Sequence, residues 1–501
     1  MMTTFTDLPV ELLDRICVWL CPHCRPFTVR ITKPSIDSRP TSDDWERDRL
    51  YRTTLFNLCL TSKALRRVAQ PVLFHRFLHH DNRHWQTPRT GLTLRLFELL
   101  RTIDERPSLA GLLRCVDINA FERNCTCCRR GSEPITPEQN GLVTRLASKT
   151  GLAFETAELE LHDLPECLIQ LLLASARNLS GLNLCAPRWW TFCSLALWAS
   201  RSGHQTFLPW LKRMELAIDN HESDACLGPH NESCNHPTTS CSIERLLVDA
   251  APNLKLLSCT AGALNSLPLL PALKWLEIHV HGSWEGMLPQ LMRGLPRLTH
   301  LTVIARNKHC PTPNEIQNSL AGHRDTLEYL NVVQHRWMSQ GWRPSTEKYA
   351  MTSLAEFTAL KTINLDGYMI WPDRGGMAAN QMVPADLELI PEFLPECVQQ
   401  LHVDLSDNYG DESFRSLAEA KTKGRFPQLD AVFWRSDGIH NLMLAAADRS
   451  WAAGDEWKAE VPLQVARWME DQGHSLAFPD WRALRLKIDP TTRRRKVRIT
   501  S

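Results

Sequence analysis

No apolar run in this 501-residue sequence reaches the roughly 18 residues that a membrane-spanning helix needs. Nor does its start carry a basic block followed by an apolar one. Asp7, Glu11 and Asp14 stand there instead, so no secretory signal is expected and an intracellular protein is. Excess charge is missing too, since 57 Lys and Arg nearly cancel 56 Asp and Glu. That balance creates no global field for phosphate, so neither nucleic acid nor membrane is expected as a partner. Also absent are a glycine-rich phosphate loop, a G-x-S-x-G elbow and an H-E-x-x-H pair. The expectation is a chain that is not an enzyme and carries no cofactor.

Hydrophobic residues make up 43% and charged residues 23%, ordinary globular usage, so most of the chain should fold. The length allows several domains or one repeat array. Seventeen cysteines scatter singly through apolar stretches, as at Cys59, Cys167, Cys193 and Cys397. They read as reduced, buried, small hydrophobes rather than as a disulfide framework.

Three Cys or Cys/His groups invite a chemical reading. Cys21-Pro22-His23-Cys24 has the spacing of a redox pair or of half a zinc site. Cys21, however, follows a helix pattern and so sits at the negative end of its dipole, the wrong field for a reactive thiolate. No second half-site stands near it in sequence. A second group, Cys226, His230, Cys234, His236 and Cys241, and a third, Cys125, Cys127 and Cys128, lack paired finger spacing. No metal is assigned to any of them.

The first helix is signalled by Asp7, Pro9 and Glu11, followed by an apolar stripe of Leu12, Leu13, Ile16 and Leu20. A long exposed connection is expected over about 21–49, rich in Pro, Ser, Asp and Arg. Next comes a second amphipathic region with Leu55, Leu58, Cys59, Leu65 and Val68 at helical spacing, a break capped by Thr61 or Ser62, and an end at Pro71.

From about residue 110 a different pattern takes over, Leu-x-x-Leu-x-Leu with other apolar residues allowed. It recurs at Leu113-Val116-Ile118, Leu179-Leu182-Leu184, Leu211-Met214-Leu216, Leu254-Leu257-Cys259, Leu273-Leu276-Ile278 and Leu298-Leu301-Val303. It continues at Leu327-Leu330-Val332, Leu360-Ile363-Leu365, Val398-Leu401-Val403, Leu429-Val432-Trp434 and Trp481-Leu484-Leu486. Helical stretches precede many of these, for example Pro165 to Asn178, Ser242 to Asn253, Asn314 to Thr326 and Asp386 to Val398. A helix–turn–strand unit cannot bury its apolar face alone, so units stack. Spacings from 19 residues (Leu254 to Leu273) to 43 (Leu211 to Leu254) predict an irregular α/β solenoid.

Leu8-Pro9-x-Glu11-Leu12-Leu13-x-x-Ile16-x-x-x-Leu20, with Leu58-Cys59-Leu60-Thr61-Ser62-Lys63-Ala64-Leu65-Arg66-Arg67-Val68-Ala69 and Pro71-x-Leu73-Phe74, resembles the F-box, fungal F-box proteins in particular. Leu65 stands where many members carry Trp. The resemblance implies a helical module over 5–78 docking on the Skp-type adaptor of a cullin-based (SCF-type) ubiquitin ligase. Leu8, Pro9, Leu12, Leu13, Ile16, Leu58 and Leu65 are then the candidate apolar anchors, at the interface or within the module. A cap that merely covers the first repeat is the plainer reading of the same helices.

The region 92–490 resembles the leucine-rich repeats that often accompany an F-box. It implies a horseshoe with short parallel strands and outer helices; the basic composition of 491–501 reads separately as a disordered tail. Asp219, Gly262, Arg306 and Ser406 stand where the family has Asn or Cys, so no regular Asn ladder is expected. Residues between the apolar strand positions face the other way: Trp275, Glu277, His279, Thr302, Tyr329, Asn331, Asn364, Asp366, His402 and Asp404. That polar, mixed-sign, aromatic face suits a protein ligand. Trp275, Glu277, His279, Tyr329, His402 and Asp404 are the candidate substrate-binding residues.

The expected function is the substrate-recognition subunit of a ubiquitin ligase; a stand-alone interaction scaffold is the alternative. The expected location is cytoplasmic or nuclear, with Arg493 to Arg498 as a candidate nuclear address.

Overall fold

The computed structural model describes residues 8–21, 24, 42–79, 90–119, 136–154, 164–187, 192–201, 206–219, 243–260, 270–280, 287–305, 312–334, 351–370, 389–405, 411–436, 459–460, 486–488 and 495–497. The chain divides into two compact units, Met1–Leu273 and Lys274–Ser501, each mixed α/β. Among the described residues no helix is long and apolar enough to cross a membrane.

The first unit opens with α1 (Val10–Leu20), α2 (Ser42–Thr61) and α3 (Lys63–Leu73). Ser62 separates α2 from α3: its backbone is extended, and its hydroxyl accepts the Leu65 amide at 3.1 Å. This is N-cap chemistry, satisfying a donor that a helix start leaves over. Two boundaries differ from the sequence expectation. The segment before Arg49 is not connection throughout, because α2 already starts at Ser42; Asp48 within it is held by Arg76 at 2.9 Å. Pro71 does not end α3, which continues to Leu73. Its missing N–H falls in the last turn, where the Phe74 amide closes the helix on Gln70 and Pro71 carbonyls at 3.2 Å. Cys17, Cys21, Leu55, Cys59, Ala69 and Val72 form the interior between the helices.

Strand β1 (Arg76–His79) follows, then α4 (Thr90–Glu105), β2 (Cys115–Asn119), α5 (Pro137–Thr150), α6 (Leu164–Ser175) and β3 (Gly181–Pro187). The unit ends with α7 (Cys193–Arg201), β4 (Arg213–Asp219), α8 (Ile243–Asp249) and β5 (Leu256–Thr260). Strands β1 to β5 lie side by side in chain order, all parallel.

The second unit repeats the scheme with β6 (Trp275–Val280), α9 (Met287–Arg293), β7 (His300–Ala305), α10 (Pro313–Ser319), β8 (Tyr329–Gln334) and β9 (Thr362–Asp366). Then come α11 (Leu389–Phe393), β10 (Gln400–Leu405), α12 (Asp411–Thr422) and β11 (Ala431–Ser436), and β6 to β11 are again parallel and in chain order. Neither ladder closes on itself. Three short strands, β12 (Ala459–Glu460), β13 (Leu486–Ile488) and β14 (Arg495–Val497), pair antiparallel apart from it.

The apolar triads build these ladders. From Leu113 to Trp434 the second and third members of each fall on β2 to β11, and every triad side chain described is buried. The first member closes a turn, as when the Leu254 amide donates to Ala251 and the Leu298 amide to Leu295, both at 3.1 Å. The Trp481 triad behaves differently: Trp481 and Leu484 lie outside the described residues, and Leu486 starts an antiparallel strand.

In place of an Asn ladder the backbone sets the register. One carbonyl at each strand entrance accepts two consecutive amides of the next repeat: His75 from Arg114 and Cys115, Lys274 from Thr299 and His300, Lys361 from Gln399 and Gln400. Shared acceptors of this kind satisfy the turn amides without any side chain, which is why irregular loops between repeats do not disturb the register.

Candidate functional site

Helix α1 has two apolar faces. Leu13, Cys17 and Cys21 recur at i, i+4 and i+8 and are buried, whereas Leu12, Ile16 and Trp19 recur at i, i+4 and i+7 a quarter-turn away. Helix α2 does the same, with Leu55 and Cys59 inside and Phe56 and Leu60 outside. Val10, Leu12, Trp19, Phe56 and Leu60 are exposed by 58, 46, 69, 51 and 61%. A surface helix in water needs one apolar stripe, not two. Phe56 also lines an open cleft of about 380 Å³ with Arg52, Phe74, Arg76 and Leu99.

This sorts the seven anchors named from sequence. Pro9 and Leu12 face out, Leu8, Ile16 and Leu58 are half-buried, and Leu13 and Leu65 are interior residues that hold the module rather than face a partner. Val10, Trp19 and Phe56 lie outside the motif, and Leu60 belongs to it without being among the anchors; the signal that could have found them is the second apolar stripe at helical spacing.

In the second unit, the register brings the candidate strand-face residues into rows. Trp275, His300, Tyr329 and Thr362 form one, and Glu277, Thr302, Asn331, Asn364 and His402 the next. Trp275 stacks on His300 with ring centroids 4.4 Å apart and planes 10° apart, and His300 stacks on Tyr329 at 5.6 Å. His279 Nε2 lies 2.8 Å from Glu277 Oε1. The face is less solvated than an open strand face would be. Trp275, Thr302 and Asn331 are buried, and burial pushes the Tyr329 hydroxyl up to about 12, with Glu277 adding to it. Burial also pushes His402 down to about 4, so it is neutral at physiological pH. Asp404 falls opposite Asp366 on β9, but its side chain lies outside the described residues.

The strand face of the first unit is ionic instead. Arg76 donates to Asp117 at 2.6 Å and to Asp48 at 2.9 Å, and Arg213 pairs with Glu215. Burial works against the Arg76 charge, but Asp117, Cys115 and Asp48 outweigh it and raise its pKa.

Sequence reading set Cys21 and Cys24 aside for want of a second half-site. The fold brings one, since His75 Nδ1 lies 3.1 Å from Cys24 Sγ and 3.9 Å from Cys21 Sγ. Neither cysteine is in a disulfide. The Cys24 thiol is held well above the ordinary range by its hydrogen bond with Cys21 and by burial, which disfavours the thiolate. Cys125, Cys127 and Cys128, the Cys226 to Cys241 group, and Arg493, Arg494 and Arg498 lie outside the described residues.

No protein-family model matches the sequence, and no curated protein matches it.

Proposed function

We propose that this chain is the substrate-recognition subunit of a cullin-based ubiquitin ligase: an F-box-like helical module docks on a Skp-type adaptor, and leucine-rich-repeat-like units hold a protein substrate. The observation that carries the reading is the second apolar stripe on α1 and α2, where Leu12, Trp19, Phe56 and Leu60 stay exposed beside a closed interior. A cap over the first repeat would need only the buried stripe. An exposed one fits the groove of a partner, where helix anchors at i, i+4 and i+7 supply the affinity. The chain then needs no catalytic group. It acts by raising the effective concentration of a bound substrate beside a charged partner enzyme.

Co-expression with a Skp-type adaptor tests this. The Leu12→Asp, Phe56→Asp double variant should lose at least about tenfold in adaptor affinity, the effect of roughly 1.4 kcal/mol. Its urea midpoint should fall far less than that of a Leu13→Asp variant, because Leu12 and Phe56 are about half exposed whereas Leu13 is buried. Reversing charge at Glu277 and Asp404 should leave adaptor binding intact and abolish capture of the substrate. Adaptor binding indifferent to the double variant, or absent from the unaltered chain, overturns the reading in favour of a stand-alone scaffold.

A further inference from the structure

We propose that Cys21 Sγ, Cys24 Sγ and His75 Nδ1 form a binding site for a thiophilic divalent cation, zinc foremost. The three donor atoms lie within 4.8 Å of one another. Bond lengths of about 2.3 Å to sulfur and 2.0–2.1 Å to nitrogen put the S···N edge of a tetrahedral zinc site at about 3.6 Å. The two S···N separations, 3.1 and 3.9 Å, straddle that value, so sub-ångström adjustments suffice.

The backbone holds the donors in place. The Cys24 amide donates to the Cys21 carbonyl at 3.1 Å, a tight turn that presents both thiols. His75 is fixed from two sides, its amide bonded to Val72 O at the end of α3 and its carbonyl taking the Arg114 and Cys115 amides at 2.9 Å. The site therefore joins the end of α1 to the place where the helical module passes into its first strand.

Cys21 is the C-cap of α1, whose last turn contains no basic residue, so the negative end of the helix faces the site, while the guanidinium groups of Arg114 and Arg52 act on Cys24 and Cys21 and favour their thiolates. Binding M²⁺ releases one proton from each thiol to solvent, and His75 coordinates as the neutral ring. Two thiolates cancel the metal charge, and the part-buried site becomes neutral overall. Thiolate plus imidazole is a donor set for zinc or copper rather than for magnesium or calcium. Three protein ligands leave one tetrahedral position to a fourth donor. The inference stands independently of adaptor docking.

The test uses the full chain, purified under reducing conditions, dialysed free of loose metal and titrated with Zn²⁺ or Co²⁺. Metal content and the visible d–d and near-ultraviolet thiolate bands of cobalt are read. The unaltered chain should hold one equivalent that Cys24→Ser and His75→Ala lose and that Cys397→Ala keeps. His75→Cys should retain the equivalent with a stronger thiolate band, which separates loss of a ligand from loss of the fold. Equal stoichiometry in the unaltered chain, Cys24→Ser and His75→Ala overturns the proposal. So does loss of all metal in Cys234→Ser alone, which would assign it to the Cys226 to Cys241 group.

Discussion

The two units use the same strand register for opposite chemistry. In the first, the row through Arg76, Cys115, Gly181 and Arg213 holds guanidinium groups paired to Asp117 and Glu215. In the second, the equivalent row through Trp275, His300 and Tyr329 is a stack of rings. On the other face both carry the same buried apolar triads. The fold therefore depends on one face of each strand, and the other is free to differ. Under the proposed function, substrate selection should map to the face that differs, which adds its own contribution to stability in each unit beside that of the repeated face.

The sharpest break of this contrast is to remove charge from the first unit. In Asp117→Ala the Arg76 guanidinium, with a side chain only 17% exposed, keeps only Asp48. Breaking a buried pair from one side costs about 3–5 kcal/mol, because a charge stays behind in low dielectric. Chemical denaturation followed by hydrogen exchange should show the loss confined to the first unit's amides. A Leu at 117 combined with Met at 76 should recover much of it. A cost below about 1 kcal/mol would mean that water already reaches the pair.

Acid should do to the second unit what that substitution does to the first. With a folded pKa of about 4 against an unfolded value near 6.5, His402 takes up its proton more readily when unfolded. Its contribution is complete above pH 6.5, is lost as pH falls towards 4, and levels off below that; it amounts to about 3 kcal/mol. Burial lowers His300 and His323 as well, which adds to the same trend. The urea midpoint of the second unit should drop across this window, and His402→Gln should flatten the drop. An unchanged slope in that variant would place the acid sensitivity elsewhere.

How much of this was legible beforehand follows from what each feature depends on. The strands β2 to β11 could be read because each triad puts its apolar residues on one face at a spacing that needs no partner information. Strand β1 could not, as Arg76-Phe77-Leu78-His79 has no such triad and owes its pairing to the His75 carbonyl. The first turns of α2, with Asp43, Asp44, Glu46 and Arg47, show no apolar period and read as connection. The Cys21–Cys24–His75 cluster depends on chain folding over 51 residues, which no local spacing reveals. Which leucines of the first module face water was hidden for the same reason: Leu12 and Leu13 are equally apolar, and only packing separates them.

A finer test of the ring row is His300→Ala, which removes the middle of the stack between Trp275 and Tyr329. Ring pairs are worth about 0.5–1.5 kcal/mol beyond burial, so a double-mutant cycle of His300 with Trp275 should return a coupling of that size. A coupling indistinguishable from zero would mean the rings are neighbours by register only.

The smallest effect concerns the row beside the rings. Thr302 is fully buried, and its hydroxyl has no hydrogen-bond partner among the described residues. A buried hydroxyl that makes no bond has lost its water without compensation, so replacing it with a methyl of the same shape removes a cost instead of a contact. Thr302→Val should therefore be neutral or stabilising by up to about 1 kcal/mol, measured as a shift of the urea midpoint at constant slope. The outcome discriminates between two accounts of the second unit's face. If the strand face is only a packed layer, the midpoint shift is the whole effect and capture is untouched. If the row from Glu277 to His402 receives a ligand that bonds the hydroxyl once neighbouring side chains move aside, the same variant shows the same shift and also loses capture. Destabilisation by more than about 1 kcal/mol would refute both, since it would require a hydrogen bond that neither account supplies.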